Sequence, residues 1–184
     1  MKHNYLIAIL PPPELSQQID EIRKACSEKY KIYKALRPPV HITLLFLKNL
    51  DDTFEPQLIN SLEAARNFSP FTQELENYDA FVRNEVVFIK AIINKEITTL
   101  YRNIKKILGD AAKEPRSQIT PHITIAYRDL KDQFPQIYTE YKNKSFEASF
   151  PVDHFTLLKH DRIRWNILRD YVAKPGDQQS ELNI

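Results

Sequence analysis

Apolar residues run unbroken from Tyr5 to Leu10 and stop at Pro11, Pro12 and Pro13. A short apolar run closed by residues that cannot donate ladder hydrogen bonds predicts a buried strand. From Glu14 to Tyr30 the period changes. Leu15, Ile19, Ile22, Cys26 and Tyr30 recur every three or four residues and predict a helix with one apolar stripe, on which Cys26 is expected to serve core packing. Pro38 and Pro39 break the chain before a second strand, Val40 to Leu47. A turn at Asn49 to Asp52, a helix marked by Phe54, Leu58 and Leu62, and a strand within Phe71 to Val82 follow. Val86 to Ile93 reads as a strand. Ile97, Leu100, Tyr101, Ile104, Ile107 and Leu108 form a second helical stripe, with Gly109 placed to end it. Pro121 precedes a strand from His122 to Tyr127. Beyond it the pattern predicts a short helix near Asp132 to Tyr141 and a hairpin of two strands, Phe146 to Leu158 and Arg162 to Tyr171. In the second of these strands Ile163, Trp165 and Ile167 alternate on one face.

Two of these strand, helix, strand units repeat. Thirty-six residues separate Tyr5 from His41, and thirty-six separate Val86 from His122. Each closing strand opens with His-Ile-Thr after a nearby proline and continues with Leu44 or Ile125. A repeated supersecondary unit predicts two lobes related by an approximate two-fold axis, with equivalent strands facing one another across a groove. The expected organisation is one two-lobed domain over residues 1–173, with repeat units at about 5–47 and 86–128 and a polar tail at 174–184. On an alternating strand His41 shares a face with Thr43, and His122 with Thr124.

Composition narrows the chemistry. At 184 residues, with 42% hydrophobic and 27% charged positions, the chain can bury a core as a single domain. A net charge of +2 is too small for a protein that follows a duplex by charge alone, so any nucleic-acid contact should be local. Two glycines leave no room for a Walker loop or a dinucleotide fingerprint. The lone Cys26 fits a reducing compartment, and the N-terminal apolar run is too short for a signal or membrane segment. A cytoplasmic monomer without membrane attachment is the expectation.

Five histidines produce three His-x-Thr triplets, where chance composition would place about a quarter of one. The third, His154-Phe155-Thr156, lacks the preceding helix unit and reads as structural. His3 and His160 read the same way. Taken alone, His41 and His122 could each be a half-buried strand histidine bonded to nearby backbone; their duplicated context favours function. Two imidazoles that titrate near neutral pH can remove one proton and deliver another across a phosphodiester, and the threonines can hydrogen-bond its non-bridging oxygens. No metal or cofactor is needed for that chemistry. Two rivals stand beside this reading. One is a non-catalytic module binding RNA ends or phosphate on the same fold, and the other is a metal-dependent phosphohydrolase using His154, His160 and Asp161.

The paired stretches His41-Ile42-Thr43-Leu44 and His122-Ile123-Thr124-Ile125 resemble the signature of the 2H phosphoesterase superfamily, in its 2′,5′ RNA ligase and cyclic phosphodiesterase branch. The likeness runs from the opening strand through the C-terminal hairpin. It implies an α+β fold of two pseudo-symmetric lobes, each an antiparallel-rich sheet with helices on the outside, and an active-site cleft between them. It implies catalytic His41 and His122 and phosphate-binding Thr43 and Thr124. Its substrates are RNA ends or small nucleotides, either 2′,3′-cyclic phosphates or 2′,5′-linked. The chain departs from it at one point. Relatives of the RNA-ligase kind carry arginine five residues after the second histidine, where Tyr127 stands here with Arg128 next. A base stacked on Tyr127, with Arg128 on the histidine face, is one reading of that pair as substrate-binding residues; a core tyrosine and a solvated arginine is the other.

Overall fold

The computed structural model describes residues 1–113 and 117–175. Most of the expected polar tail, from Gly176 onward, lies outside the described residues. The chain runs β1 (Lys2–Ile9), α1 (Pro13–Tyr30), β2 (Ile42–Asp51), α2 (Glu55–Leu62), β3 (Phe71–Phe81), β4 (Val86–Ala91), α3 (Lys95–Leu108), β5 (His122–Ala126), α4 (Phe134–Tyr141), β6 (Glu147–Val152), β7 (His154–His160) and β8 (Trp165–Val172). Two four-stranded sheets form, ordered β2-β1-β7-β8 and β5-β4-β3-β6, and every neighbouring pair is antiparallel. This is an α+β fold of two matching lobes. Under the repeat, β2 corresponds to β5 and β1 to β4, so each histidine motif lies at the edge of its own sheet.

Local chemistry explains the helix ends. Pro13 opens α1 with its fixed φ and no wasted N–H, and Lys31 closes it in the left-handed region (φ 56°), its N–H returning to the Ser27 carbonyl. Asn94 caps α3 by accepting the Ile97 N–H at 2.8 Å, and Gly109 (φ 50°) ends the helix where a side chain would be strained. The α3 stripe of Ile97, Leu100, Tyr101, Ile104 and Leu108 is buried. The helices also cross between the repeats. α1 lies alongside β5 and α3 alongside β2, so the helix of each unit supports the histidine strand of the other.

Two expectations are corrected. The stretch Phe146 to Leu158 is not one strand, because Asp153 lies outside both ladders and the chain changes sheets there, from β6 to β7. The alternation of Ile163, Trp165 and Ile167 does not mark a core face. β8 is an edge strand, Ile163 is 89% exposed in the turn before it, and Ile167 is 57% exposed. Trp165 shares the face of Ile167 but is better covered, packing against a small cluster of Leu6, Ala8 and Leu158 set apart from the main core.

Candidate functional site: two imidazoles on bulged edge strands

Each histidine motif carries the same irregularity. In the β1–β2 ladder Ile7 faces Leu45 while Ala8 faces Thr43, which leaves Leu44 as the extra residue of a β-bulge. In the β4–β5 ladder Val87 faces Ala126 while Phe88 faces Thr124, which leaves Ile125 as the extra residue. Both bulges fall three residues after the histidine and bend the strand just past its threonine. They also explain the doubled buried pairs Leu44-Leu45 and Ile125-Ala126, which interrupt strict alternation in both strands.

The two rings are anchored alike. His41 Nδ1 lies 2.7 Å from the Pro39 carbonyl, and His122 Nδ1 lies 2.7 Å from the Thr120 carbonyl, two residues upstream in each case. A carbonyl can only accept, so Nδ1 carries the proton in both rings and Nε2 is left as the reactive nitrogen. His41 Nε2 lies 3.1 Å from Thr43 Oγ1, which donates to it. His122 packs edge-on to Phe81 (4.9 Å between centroids, 90°) and tilted against Phe88 (5.0 Å, 54°). The imidazoles are close enough that charge on His122 disfavours charge on His41.

Electrostatics sets His41 apart from an ordinary imidazole. The His41 pKa is lowered to about 4, chiefly by desolvation at the cleft floor and further by the positive charges of Arg23 and His122; the hydrogen bond to Pro39 works against this. Arg23, on α1, is 2% exposed. It donates through Nη2 to the carbonyls of Ala35 and Pro38 and pairs through Nη1 with Asp20 at 3.1 Å.

A cavity of about 220 Å³ lies between the sheets, and His41, Thr43, Thr124, Tyr127 and Arg128 line it, with Arg23 at its edge. His122 is not among the lining residues; it stands two residues before Thr124 on the same strand. Arg128 does not arrive by strand alternation. β5 ends at Ala126, and Arg128 takes a left-handed conformation (φ 71°) with its guanidinium over the Tyr127 ring, 5.2 Å from the centroid. Phe46 and Trp165 also line it, and the sequence pattern places neither in the site. The signal for Phe46 was present: it stands five residues after His41, as Tyr127 does after His122. Arg23 also had one, being a charged residue three and four positions from Cys26 and Ile19 on the buried stripe.

The remaining histidines stand elsewhere. Thr156 lies in one row with Ala8 and Thr43, but it is fully buried and its hydroxyl donates to Asp170 at 2.6 Å. His154 Nδ1 is held by Asp153 at 2.6 Å. His154 and His160 occupy opposite ends of β7, six residues or about 20 Å apart, which rules out a shared metal ion with Asp161. Among the described residues no three His, Cys, Asp or Glu side chains cluster as metal ligands, and no helix is long and apolar enough to cross a membrane. His3 Nδ1 meets the His160 carbonyl at 3.3 Å, away from the cavity.

Comparison with known proteins places this arrangement. A Bacillus pumilus (strain SAFR-032) protein named for an inferred phosphoesterase activity is 26% identical over 160 residues, covering 85% of this chain and 92% of its own. Escherichia coli LigT in its apo form superposes with a TM-score of 0.69 at 22% identity, over 95% of this chain and 99% of LigT. LigT complexed with 3′-AMP gives 0.67 at the same identity and coverage. The model of the 2′-5′ RNA ligase superfamily matches residues 11–164. With that match spanning both histidine strands and the cleft between them, the chain belongs to the 2′-5′ RNA ligase superfamily of phosphoesterases.

Proposed function

We propose that the protein opens or forms phosphodiesters at 2′,3′-cyclic phosphate or 2′,5′-linked nucleotide and RNA ends, by two-histidine general acid–base catalysis. The observation that carries this reading is the pair of matched Nδ1 anchors. Each ring is locked in the tautomer that offers Nε2, on strands from opposite lobes bordering one cavity. In hydrolysis of a cyclic ester, water attacks phosphorus as His41 Nε2 takes its proton. The bond from phosphorus to one ribose oxygen breaks, and protonated His122 gives that oxygen its proton, leaving a phosphate monoester. Exchange with solvent resets both rings. The assignment of base to His41 follows from its depressed pKa, since a ring that stays neutral near pH 7 is ready to accept. Thr43, turning its hydroxyl from His41 Nε2 to the phosphate, and Thr124 hydrogen-bond the non-bridging oxygens as charge shifts onto them, and Tyr127 and Arg128 contact the nucleoside.

The test is turnover of 2′,3′-cyclic mononucleotides and 2′,5′-linked dinucleotides by wild type, His41→Ala, His122→Ala and His154→Ala. The first two substitutions are each expected to lower kcat by about 10²- to 10⁴-fold, and the third to spare it. Binding without turnover in the wild type would favour the non-catalytic module. An equal loss in His154→Ala would show that the wrong pair has been chosen.

A further inference from the structure

The histidine cavity, at about 220 Å³, falls below the usual 300 Å³ or more of a site that encloses a whole small molecule. It adjoins a second cavity of about 360 Å³, and the two share Pro38, Phe46, Tyr127, Arg128 and Trp165. Strand pairing fixes the path between them. Thr43 lies in the row of Ala8, Phe46 in the row of Leu6, and His160 in the row of Asn4 with Trp165 beyond it. Side chains directly opposite one another share a face, so the path runs four residues along β1, about 13 Å. That exceeds the reach of one phosphate and lies within that of a dinucleotide.

The second cavity has the chemistry of a single-stranded nucleic-acid site. Phe46 and Tyr127, each five residues after a motif histidine, supply rings from the two lobes. Trp165 meets Phe46 edge-on at 6.2 Å. Lys34 and Arg37 line the cavity on the segment between α1 and β2, and among the described residues neither side chain has a carboxylate partner. Neither nearby acid pairs with them: Asp129 Oδ2 accepts the backbone N–H groups of Tyr33 and Lys34 while its Oδ1 is buried without a hydrogen-bond partner, and Asp161 accepts the N–H groups of Ile163 and Arg164 together with the Asn166 amide. Aromatic faces beside unpaired cations bind bases and the phosphates between them.

We infer that this second cavity is a subsite for the next nucleotide of a strand, in which the Phe46 and Trp165 rings take its base, Tyr127 stays with the terminal nucleoside, and Lys34 and Arg37 take the phosphodiester joining the two. The inference rests on the proposed function for the direction of the strand, and it makes an oligonucleotide end, rather than a mononucleotide, the preferred substrate.

Trp165 is the sole tryptophan of the chain and lines both cavities, so its fluorescence reports occupancy directly. The experiment titrates wild type and the double variant Lys34→Ala/Arg37→Ala with adenosine 3′-phosphate and with an adenylyl dinucleotide ending in a 3′-phosphate, at several salt concentrations. Wild type is expected to bind the dinucleotide about tenfold more tightly than the mononucleotide. The variant should lose that advantage, keep its mononucleotide affinity, and show a shallower salt dependence, by about 0.7 in the log–log slope for the one phosphate released. Equal affinity for the two ligands in wild type, an equal loss for both in the variant, or no change in Trp165 emission would overturn the subsite. A cyclic-phosphate assay run in parallel separates the two readings. Dinucleotide preference without turnover removes the catalytic proposal and leaves the subsite, while turnover without preference does the reverse.

Discussion

The guanidinium of Arg23 donates to the carbonyl of Pro38 at 2.9 Å, one residue before the carbonyl that fixes the His41 ring. A buried cation on α1 therefore holds the backbone that orients the imidazole and also lowers its pKa. Replacing Arg23 by methionine strands two carbonyls and removes the charge. Stability should fall by about 1–3 kcal/mol, read by urea denaturation. The His41 midpoint, followed by NMR, should rise above its native value, because imidazolium no longer faces a fixed positive charge. A midpoint that stays in place would show that the guanidinium acts through packing alone.

The depressed pKa of His41 sets a pH signature. The unfolded ring binds a proton near pH 6.5 and the folded ring only near pH 4, so the unfolded state holds more protons between those values. Stability contributed by this group is present above pH 6.5 and is lost as pH falls toward 4. The acid limb of kcat/KM should accordingly lie well below 6.5, since the base stays neutral there. An acid limb at 6.5 in the free enzyme would contradict the assignment of His41 as base.

Thr43 and Thr124 are expected to act in the transition state more than in binding. Thr43→Val and Thr124→Val keep shape and remove the hydroxyl. Each should lower kcat by about 10²- to 10³-fold with little change in KM. A change confined to KM would make the hydroxyls ground-state contacts.

Glu140 on α4 receives Lys29 and Tyr30 from α1 and Lys144 from its own end of the chain, and these partners lower its pKa to about 2. This carboxylate joins the helix of the first repeat to the second lobe. Glu140→Gln should cost about 1–2 kcal/mol at pH 7, with the difference from wild type vanishing as pH falls from about 4.5 toward 2. Paired denaturation curves across that range would check both parts.

The repeat was legible because its signals are local: prolines before both motifs, a stripe between, and the same thirty-six-residue spacing. Even the bulges left a trace, in the adjoining apolar pairs Leu44-Leu45 and Ile125-Ala126. What escaped depends on the whole chain. No periodicity told that Asp153 carries the backbone from one sheet to the other, although Pro151 just before it suits an edge strand. Ile163 and Ile167 look like core by alternation and are exposed instead, because Ile163 stands in the turn before β8 and Ile167 on an edge strand. The aromatic and cationic residues of the second cavity come from the segment after α1, β2, the end of β5 and the β7–β8 hairpin, and only folding collects them.

The crossing at Asp153 also bears on how the molecule is made. The first lobe waits for its last two strands, residues 154–172, so during synthesis β1 and β2 exist for most of the time as an incomplete ribbon, which by itself is marginal in water. The half that emerges first from the ribosome is thus finished last, and a nascent chain halted before residue 154 should remain sensitive to protease throughout its N-terminal part.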